Sequence, residues 1–490
     1  MLGFLSEHTP AILPEIFLSI AAMALLLIGV FSQEGKERRI TYFSILALVI
    51  TALFAADVAP FDQHDTRNLY LSNGFTQFCK VAVLLFTAAT LLLTLRQLDL
   101  EGINRFEYPV LSLLMALGMM VVISSNDLMA LFMGIELVSL PLYVLAAMRR
   151  SETRSGEAAI KYFILGALSS ALFLYGTSLI YGATGSTDFF SILSALKQSQ
   201  PHTGLLMTAV GLVLAGLAFK VTLAPFHVWA PDVYEGAPTP VVVLFSAAPK
   251  LAVFAALARF LGEAVLPLQP LWSQLLSLFA VASMLVGAFA ALNQMNIKRL
   301  LAYSTVAHMG YASLALLAPS SESIAQLVIY LVIYGVTVLA AFGCILSLRH
   351  HGKSLESLQD YQGLGREHPR IAAGLAVIFF SLAGIPPLAG FFAKLGLFMA
   401  AVKAGYGWLV TLAVLTSVVS AGYYLRILRL VYFDVAQEKG LKGLKLDPKM
   451  YRETAYVTVI AVGLLVAYAL WPNALIERAE AAAATLFVKT

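Results

Sequence analysis

The sequence predicts an all-α polytopic membrane protein, and composition is the first reason. Hydrophobic residues make up 60% of the 490 residues and charged residues only 12%, whereas soluble domains are about 25% charged. The mean hydropathy is +0.83. Apolar runs of about 20 residues, each long enough to cross a bilayer, recur from end to end. The formal net charge of +4 is small, and the chain has no basic stripe of the kind that binds nucleic acid.

Fourteen apolar segments are long enough to be transmembrane helices, and we expect one transmembrane domain over residues 1–490. The segments cover approximately residues 11–31, 39–57, 74–95, 107–124, 127–148, 156–183, 204–225, 240–262, 270–292, 299–318, 322–348, 370–404, 406–433 and 452–472.

The connections between these segments alternate in charge, which supports the count. Most lysine and arginine residues fall in every second connection, and the densest cluster lies between Arg426 and Arg452. A missed or extra segment would scramble this alternation. The positive-inside rule assigns the basic connections to the cytoplasm, so both chain termini are predicted to lie outside it.

Two of the fourteen segments are interrupted by proline, the seventh at Pro225 and the twelfth at Gly384–Pro387. Proline removes a backbone donor, and a broken helix persists in hydrocarbon only where it is buried in protein or lines a polar cavity. The two breaks lie five segments apart, so the segments that carry them run in opposite directions. Inverted repeats with paired broken helices mark the ion site of many transporters.

We therefore predict two inverted five-helix repeats, with helices 7 and 12 broken. Helices 4–8 form the first repeat and helices 9–13 the second. The predicted boundaries are 1–106 for three N-terminal helices, 107–262 and 270–433 for the repeats, and 434–490 for a basic loop and the last helix.

Single lysines lie within the apolar segments near both breaks and between them. Lys220 precedes Pro225, Lys394 follows the second break, and Lys250 lies near the middle of the eighth segment. An intramembrane lysine is costly and is by default a functional-site hypothesis. Burial and a nearby carboxylate change the proton affinity of an amine in opposite directions, so such a lysine can take up and release a proton. We predict a relay; the alternative is that these side chains snorkel or only hold helices together.

Glu136 lies well inside the fifth segment, where a bare carboxylate must be paired, hydrated or protonated. Lys161 lies in the first turns of the sixth segment. We predict an ion pair between the two that alters the electric field at Lys220; the alternative is a purely structural pair. Histidine titrates near neutral pH, which makes His227, directly after the first break, and His308, inside the tenth segment, further candidates. For a lone helical histidine, however, a structural hydrogen bond is the usual role.

The remaining polar and cysteine residues point to no second chemistry. Asp232 and Glu235 are expected to be helix caps or loop contacts, and Glu15 an interfacial residue or the partner of a neighbouring lysine. Cys79 and Cys344 lie far apart in apolar segments and are expected to be buried structural thiols. The sequence has no phosphate-binding glycine loop, no cysteine cluster for an iron–sulfur centre and no metal-ligand spacing, so redox chemistry coupled to this chain is expected elsewhere.

Several motifs resemble one known family, the antiporter-like membrane subunits of respiratory complex I. They are LPEIFL at Leu13–Leu18, GIELVSLPLYVL at Gly134–Leu145, KYFILGALSSALFLYG at Lys161–Gly176, PFHVWAPDVYEGAPTPV at Pro225–Val241, AYSTVAHMGY at Ala302–Tyr311 and SLAGIPPLAGFFAKL at Ser381–Leu395. The resemblance covers essentially the whole chain. The YEGAP stretch at Tyr234–Pro238 favours the N-type subunits over the L- and M-types.

The resemblance implies a proton-translocating subunit of an NADH:quinone oxidoreductase in a bacterial inner membrane, with both termini periplasmic. It implies that protons move through Glu136, Lys161, Lys220, Lys250 and Lys394 as quinone is reduced in partner subunits. No cofactor is expected in this chain, because NADH, FMN, iron–sulfur clusters and quinone belong to those partners.

The expected partners are the neighbouring antiporter-like and small membrane subunits, the lipid bilayer and protons, with no nucleic acid. Three other interpretations stay open at this point: a subunit of a multi-subunit sodium/proton antiporter, the membrane arm of a complex I-like hydrogenase, and a structural subunit whose buried charges only hold helices together.

Overall fold

The computed structural model is built almost entirely from long helices and describes residues 2–32, 35, 37–57, 69–198, 203–350, 353–434 and 452–487. Within those residues, eleven helices are long and apolar enough to cross a membrane by length and composition. The predicted all-α polytopic fold is confirmed. The predicted basic loop 434–451 lies, apart from Asp434, outside the described residues.

The helices of the N-terminal part and of the first predicted repeat follow the expected order. They are α1 (Leu2–Val30), α2 (Glu37–Asp57), α3 (Gly74–Leu100), α4 (Glu107–Ser124), α5 (Leu128–Ala146), α6 (Thr153–Thr184), α7 (Phe189–Gln198), α8 (Thr203–Lys220), α9 (Trp229–Gly236), α10 (Thr239–Ser246) and α11 (Ala248–Arg259), which continues as a π-helical turn over Phe260–Ala264.

The second predicted repeat begins after a 3₁₀ turn over Leu266–Leu268. It comprises α12 (Gln269–Leu292), α13 (Ile297–Ser313) with a 3₁₀ turn over Leu314–Leu316, α14 (Ser321–Ser347), the two-residue strands β1 (Arg349–His350) and β2 (Lys353–Ser354), a 3₁₀ turn over Leu358–Tyr361, α15 (Leu364–Glu367), α16 (Pro369–Ala383), α17 (Ala389–Lys403) and α18 (Gly407–Tyr432). Two further helices follow, α19 (Arg452–Leu470) and α20 (Asn473–Ala484).

Each predicted segment corresponds to a helix or to a broken pair of helices. Three segments fall outside the eleven candidate spans because their helices are short or less apolar: the seventh (α8), the tenth (α13) and the twelfth (α16 with α17). Helix α8, which is the seventh predicted segment, ends at Lys220, five residues before the predicted break at Pro225. The turn that follows includes Thr222, whose φ of 64° lies in the left-handed region.

The eighth segment has a break that the sequence analysis missed. Helix α10 ends at Ser246 and α11 begins at Ala248, two residues before Lys250. Pro249 has no backbone N–H, so the carbonyl of Phe245, four residues earlier, lacks its helical donor. The lysine at the middle of this segment is therefore also next to a break.

Contacts between the connecting segments agree with a fourteen-span order. The backbone N–H of Leu71 donates to Ser124 O at 2.8 Å. Arg149 and Arg349 both pair with Glu101. These pairs are separated by an even number of spans, so each joins connections on one side of the membrane. The compartment to which that side belongs stays a prediction.

Candidate proton-transfer site

The Lys220 amine ends α8 and contacts α5. Its Nζ donates to Ser139 Oγ at 2.9 Å and to Tyr143 Oη at 3.3 Å. Ser139 and Tyr143 lie three and seven residues after Glu136, so all three share one face of α5. The Glu136 carboxylate accepts a hydrogen bond from the Ser170 hydroxyl of α6. A carboxylate, three hydroxyls and an amine are thereby gathered between α5, α6 and α8.

Lys161 does not pair with Glu136, and that prediction is wrong. The Lys161 side chain is 42% exposed and binds Glu157 and Asp232, each at 2.8 Å. Helix α9 follows the break and places Asp232 beside the N-terminal part of α6, where Lys161 lies. Arg299 also binds Asp232, at 2.7 Å, and Glu235, at 3.1 Å.

Asp232 and Glu235 are therefore not the helix caps or loop contacts that the sequence predicts: both lie within α9 and form ion pairs with residues of neighbouring helices. Burial raises the pKa of the Asp232 carboxyl, but hydrogen bonds from Lys161 and Arg299 more than offset burial and hold the pKa below its ordinary value. Asp232 therefore remains an anion that ties the segment after the break to α6 and α13.

Lys250 is 1% exposed, and its amine contacts the break beside it. Its Nζ donates to Phe245 O at 3.4 Å, the carbonyl that Pro249 leaves without a helical donor. The lysine therefore supplies the donor that its neighbouring proline lacks. In the part of the chain that the structure describes, a neutral backbone oxygen and no carboxylate holds this amine.

Lys394 is 5% exposed and contacts the second proline break in the same way. Its Nζ donates to Leu382 O at 2.8 Å and to Ala383 O at 3.4 Å. These carbonyls lie four residues before Pro386 and Pro387, which have no N–H to offer them. The Ser417 hydroxyl of α18 accepts a third bond, at 3.0 Å.

Gly384 ends α16 directly beside Lys394. Its φ of +79° lies in the left-handed region that favours glycine, and an added Cβ would lie 3.1 Å from Lys394 Cδ. The backbone conformation therefore favours glycine, and a larger residue would also crowd the lysine stem that passes over it.

His308 lies at the centre of a buried hydroxyl network. Its Nδ1 is 2.7 Å from Tyr330 Oη and its Nε2 is 3.2 Å from Tyr424 Oη. Tyr424 Oη is in turn 2.5 Å from Ser304 Oγ. Both ring nitrogens therefore have hydrogen-bond partners that can pass on a proton, which a purely apolar setting would not provide.

Two small cavities extend this network from the break beside Lys250 to Lys394. One is lined by Ser246, Thr305 and Tyr334, and the other by Tyr334, His308 and Lys394. In each cavity, the volume that the centre of a water molecule can occupy is about 10 Å³. Each cavity therefore has room for about one water. Polar groups and small cavities thus lead through the second half of the chain.

Aromatic side chains fill the space between Lys220 and Lys250. The rings of Tyr162, Phe219, Trp229 and Phe245, hereafter the aromatic cluster, pack together, with Tyr162 and Trp229 stacked at 4.4 Å between centroids. Among the described residues no hydrogen bond links the two lysines. The polar path is therefore interrupted at this cluster.

His227 does not bridge the interruption. Its ring is half-buried beside Tyr303, with the ring centroids 6.4 Å apart. Its Nδ1 is buried without a hydrogen-bond partner in the described part of the chain. The structure brings Glu136 close to the residues that hold Lys220, and His308 close to Lys394, but it leaves His227 and Lys161 outside both groups.

Two other buried lysines, which the sequence analysis did not single out, provide a contrast. Lys80 pairs with Glu15 at 2.7 Å, and Lys298 pairs with Glu356 at 2.6 Å. In the described residues no carboxylate lies within 4 Å of the amines of Lys220, Lys250 or Lys394, hereafter the relay lysines. Glu15 is thus the partner of a neighbouring lysine, one of the two roles expected of it.

Sequence reasoning also missed the hydroxyl residues around the relay lysines: Ser139, Tyr143, Ser170, Tyr330, Tyr424 and Ser417. The first two could have been found, because they share a helical face with Glu136. The others come from helices distant in sequence, and no local pattern marks them. Where the structure describes the chain, no group of three His, Cys, Asp or Glu side chains is placed to hold a metal ion.

Lysines buried at broken helices in a bundle of this kind define an antiporter-like membrane subunit. The family described as NADH:quinone oxidoreductase/Mrp antiporter, transmembrane part, matches residues 125–420. Proteins named NADH-quinone oxidoreductase subunit N from Parvibaculum lavamentivorans and Rhodospirillum rubrum are 47% and 44% identical to this chain, over 88% and 97% of it and over 89% and 96% of their own lengths. The chain therefore belongs to the NADH-quinone oxidoreductase subunit N family.

Solved structures of membrane complexes share the fold of this chain. A chain of respiratory complex I from Thermus thermophilus, with bound aureothin, matches with a TM-score of 0.78 at 34% identity, covering 95% of this chain and 98% of that one. Chains of the archaeal membrane-bound sulfane sulfur reductase and of the Mrp complex from Dietzia match at TM-scores of 0.82 and 0.80, covering 98% and 97% of each chain, with identities of 24% and 21%. Identities this low show the shared fold alone.

Proposed function

We propose that this chain is a proton-translocating membrane subunit of an NADH-quinone oxidoreductase and moves protons through Glu136, Lys220, Lys250, His308 and Lys394. The observation that supports this most directly is the chemistry of the amine partners. The relay lysines are held by hydroxyl and carbonyl oxygens, whereas Lys80 and Lys298 are held by carboxylates. A direct buried ion pair fixes a charge in place; an amine on neutral oxygens is free to change its protonation.

In the first half, Glu136 sets the charge near Lys220. In the described residues the two side chains are linked through the polar face of α5, with Ser139 one turn from Glu136 and bonded to the amine. A change in the charge of Glu136 alters the proton affinity of Lys220 without a direct contact, because a Coulomb interaction acts across several ångströms in a poorly screened interior.

Lys161 acts as a positioning residue in the same half of the relay. Its ion pair with Asp232 holds α9 against α6, and α9 contributes Trp229 to the aromatic cluster. Transfer from Lys220 to Lys250 then requires the aromatic cluster to open or to admit water. From Lys250 onward, hydroxyl groups, His308 and the two small cavities lead to Lys394.

The energy for this movement comes from quinone reduction in partner subunits. This chain binds no cofactor of its own; NADH, FMN, iron–sulfur clusters and quinone are held by the partners. It lies in a bacterial inner membrane with both termini periplasmic. Relatives at 47% and 44% identity are named subunit N, whereas the Mrp chain is only 21% identical, which favours this function over that of a sodium/proton antiporter.

Replacing Glu136 with glutamine is expected to lower proton transfer and coupled quinone reduction several-fold, since the amide keeps the size but loses the charge that Lys220 senses. Glu136→Asp is expected to retain more activity, because its carboxylate stays on the same face of α5. The measurement is proton uptake or release per NADH oxidised by the intact complex in proteoliposomes. Full activity of an assembled Glu136→Gln complex would refute the proposed role.

Replacing Gly166 with alanine is expected to displace the hydroxyl of Tyr143 from Lys220, because an added Cβ would lie 1.9 Å from Tyr143 Oη. We expect slower proton transfer at a normal level of assembled complex, measured with the same proteoliposomes. Gly182→Ala on the same helix is the matched control, because nothing lies within 4 Å of its Cβ position. Equal activity of the two variants would remove Tyr143 from the site.

A further inference from the structure

An apolar groove on the outside of the bundle is not explained by proton transfer. It has a volume of about 870 Å³ and lies between α2, α3, α14, α19 and α20. Along α3 its wall extends from Gly74 to Leu92, about 27 Å at the helical rise of 1.5 Å per residue. The hydrocarbon core of a bilayer is about 30 Å thick, so this α3–α14 groove follows nearly the full depth of the membrane.

The α3–α14 groove is polar at one end only. Gln77, Arg478 and Thr485 lie at the end where α3 begins, and the rest of the lining is aliphatic or aromatic. Helix α20 contributes Arg478 to this polar end, and Thr485 directly follows α20. The helix turns back after α19, and the Thr485 hydroxyl accepts a hydrogen bond from Phe75 N at 3.0 Å. Arg478 is exposed and forms no ion pair within the described residues.

We propose that the α3–α14 groove binds a diacyl phospholipid with an anionic headgroup. The phosphate is bound by the Arg478 guanidinium, which presents paired donors suited to phosphate oxygens. The acyl chains lie along α3 and α14. A cation at one end of a long apolar groove matches a molecule with one charged end and flexible apolar chains. An arginine without an ion pair in the described part of the chain matches an anionic headgroup better than a zwitterionic one.

The walls of the groove favour acyl chains over a transmembrane helix of a partner subunit. Close helix packing in membranes uses small residues that let two backbones approach. Here Phe78, Leu85 and Leu92 of α3 line the groove. They alternate with the small residues Ala82 and Ala89, so the wall is uneven along the helix. Flexible chains fit between such side chains more readily than a rigid helix about 10 Å across.

The bound lipid would pack against the back of a helix that serves the relay. Val332 and Val336 of α14 line the groove, while Tyr330 of the same helix holds His308 at 2.7 Å. Phe86, which also lines the groove, packs closely against Gly335 of α14: an added Cβ on Gly335 would lie 2.6 Å from the Phe86 ring. Lipid in the groove would therefore stabilise the position of α14. This functional consequence rests on the proposed relay, whereas binding itself does not.

The test places the intact complex in nanodiscs with a photoactivatable phosphatidylglycerol or, separately, a photoactivatable phosphatidylcholine. We expect phosphatidylglycerol to label groove residues of α3 and α14 more strongly than phosphatidylcholine does. Arg478→Gln is expected to lower the phosphatidylglycerol labelling about fivefold, and Arg478→Lys to retain most of it. Ala82→Phe, which fills the groove, is expected to prevent labelling by both lipids.

The matched control is Ala171→Phe, at an exposed position of α6 away from the groove, and its labelling is expected to equal that of the unchanged complex. Equal labelling by the two lipids, unchanged labelling in Arg478→Gln, or a cross-link that places a partner's helix in the groove would each overturn the proposal. Lipid labelling is read without any measurement of proton transfer, so failure of the relay and failure of the lipid site are distinguishable.

Discussion

Replacing Lys220 with alanine is expected to lower proton transfer and coupled quinone reduction by about a hundredfold or more, the low end of what a positioned proton-transfer group contributes. The substitution removes the only amine that contacts the polar face of α5 among the described residues, at Ser139 and Tyr143. Those two hydroxyls remain as partners for each other or for water, so the helices are expected to assemble. The measurement is proton movement and NADH oxidation by the intact complex in proteoliposomes.

The matched control is Lys197→Ala, which removes an exposed lysine at the end of α7. It is expected to leave both rates unchanged. Lys220→Arg adds a second test, because arginine keeps the positive charge but does not release its proton. If arginine restores the rate, the site needs a fixed charge and not a transferable proton, and the relay proposal fails at this residue.

Proline positions in the sequence predict two of the helix breaks and miss a third. Pro225 and Pro386–Pro387 stand beside lysines in a pattern that predicts broken helices, and the structure contains both. Pro249 was missed because it lies within a long apolar run. The rule that finds it is local: a proline leaves the carbonyl four residues earlier without a donor. That rule also identifies the carbonyls that hold Lys250 and Lys394.

The error over Lys161 has a different physical cause. The sequence gives its position along α6 but not which neighbour it faces there. The break after Lys220 allows α9 to fold back, which brings Asp232 to 2.8 Å from the Lys161 amine. This is a contact between residues far apart in sequence. Glu136, deeper in the bundle, is instead satisfied by Ser170 of α6.

The difference between a bracing lysine and a relay lysine also needs the structure. Lys80 and Lys250 both lie inside apolar segments, and the sequence does not separate them. Glu15 lies 65 positions before Lys80 in the printed sequence, yet it forms a direct ion pair with that amine. Among the described residues, the hydrogen-bond partner of the Lys250 amine is a backbone carbonyl. The tertiary fold therefore decides which amines are fixed in charge.

Replacing Lys394 with alanine is expected to lower proton transfer by about a hundredfold or more, with some loss of assembled complex. The substitution leaves the carbonyls of Leu382 and Ala383 buried without the donor that now serves them, and each unsatisfied buried group costs about 1–3 kcal/mol. Proton transfer is therefore normalised to the amount of complex, measured by quantifying the subunit in purified membranes.

Lys403→Ala is the matched control on the same helix, because Lys403 is exposed and pairs with Glu322 at the surface; we expect normal transfer. Lys394→Arg separates structure from chemistry. Arginine offers donors to the two carbonyls and keeps the charge, so it is expected to restore assembly, but it does not release a proton and is expected to leave transfer low. If Lys394→Arg restored transfer together with assembly, Lys394 would only close the broken helix, and the path would have to end at His308.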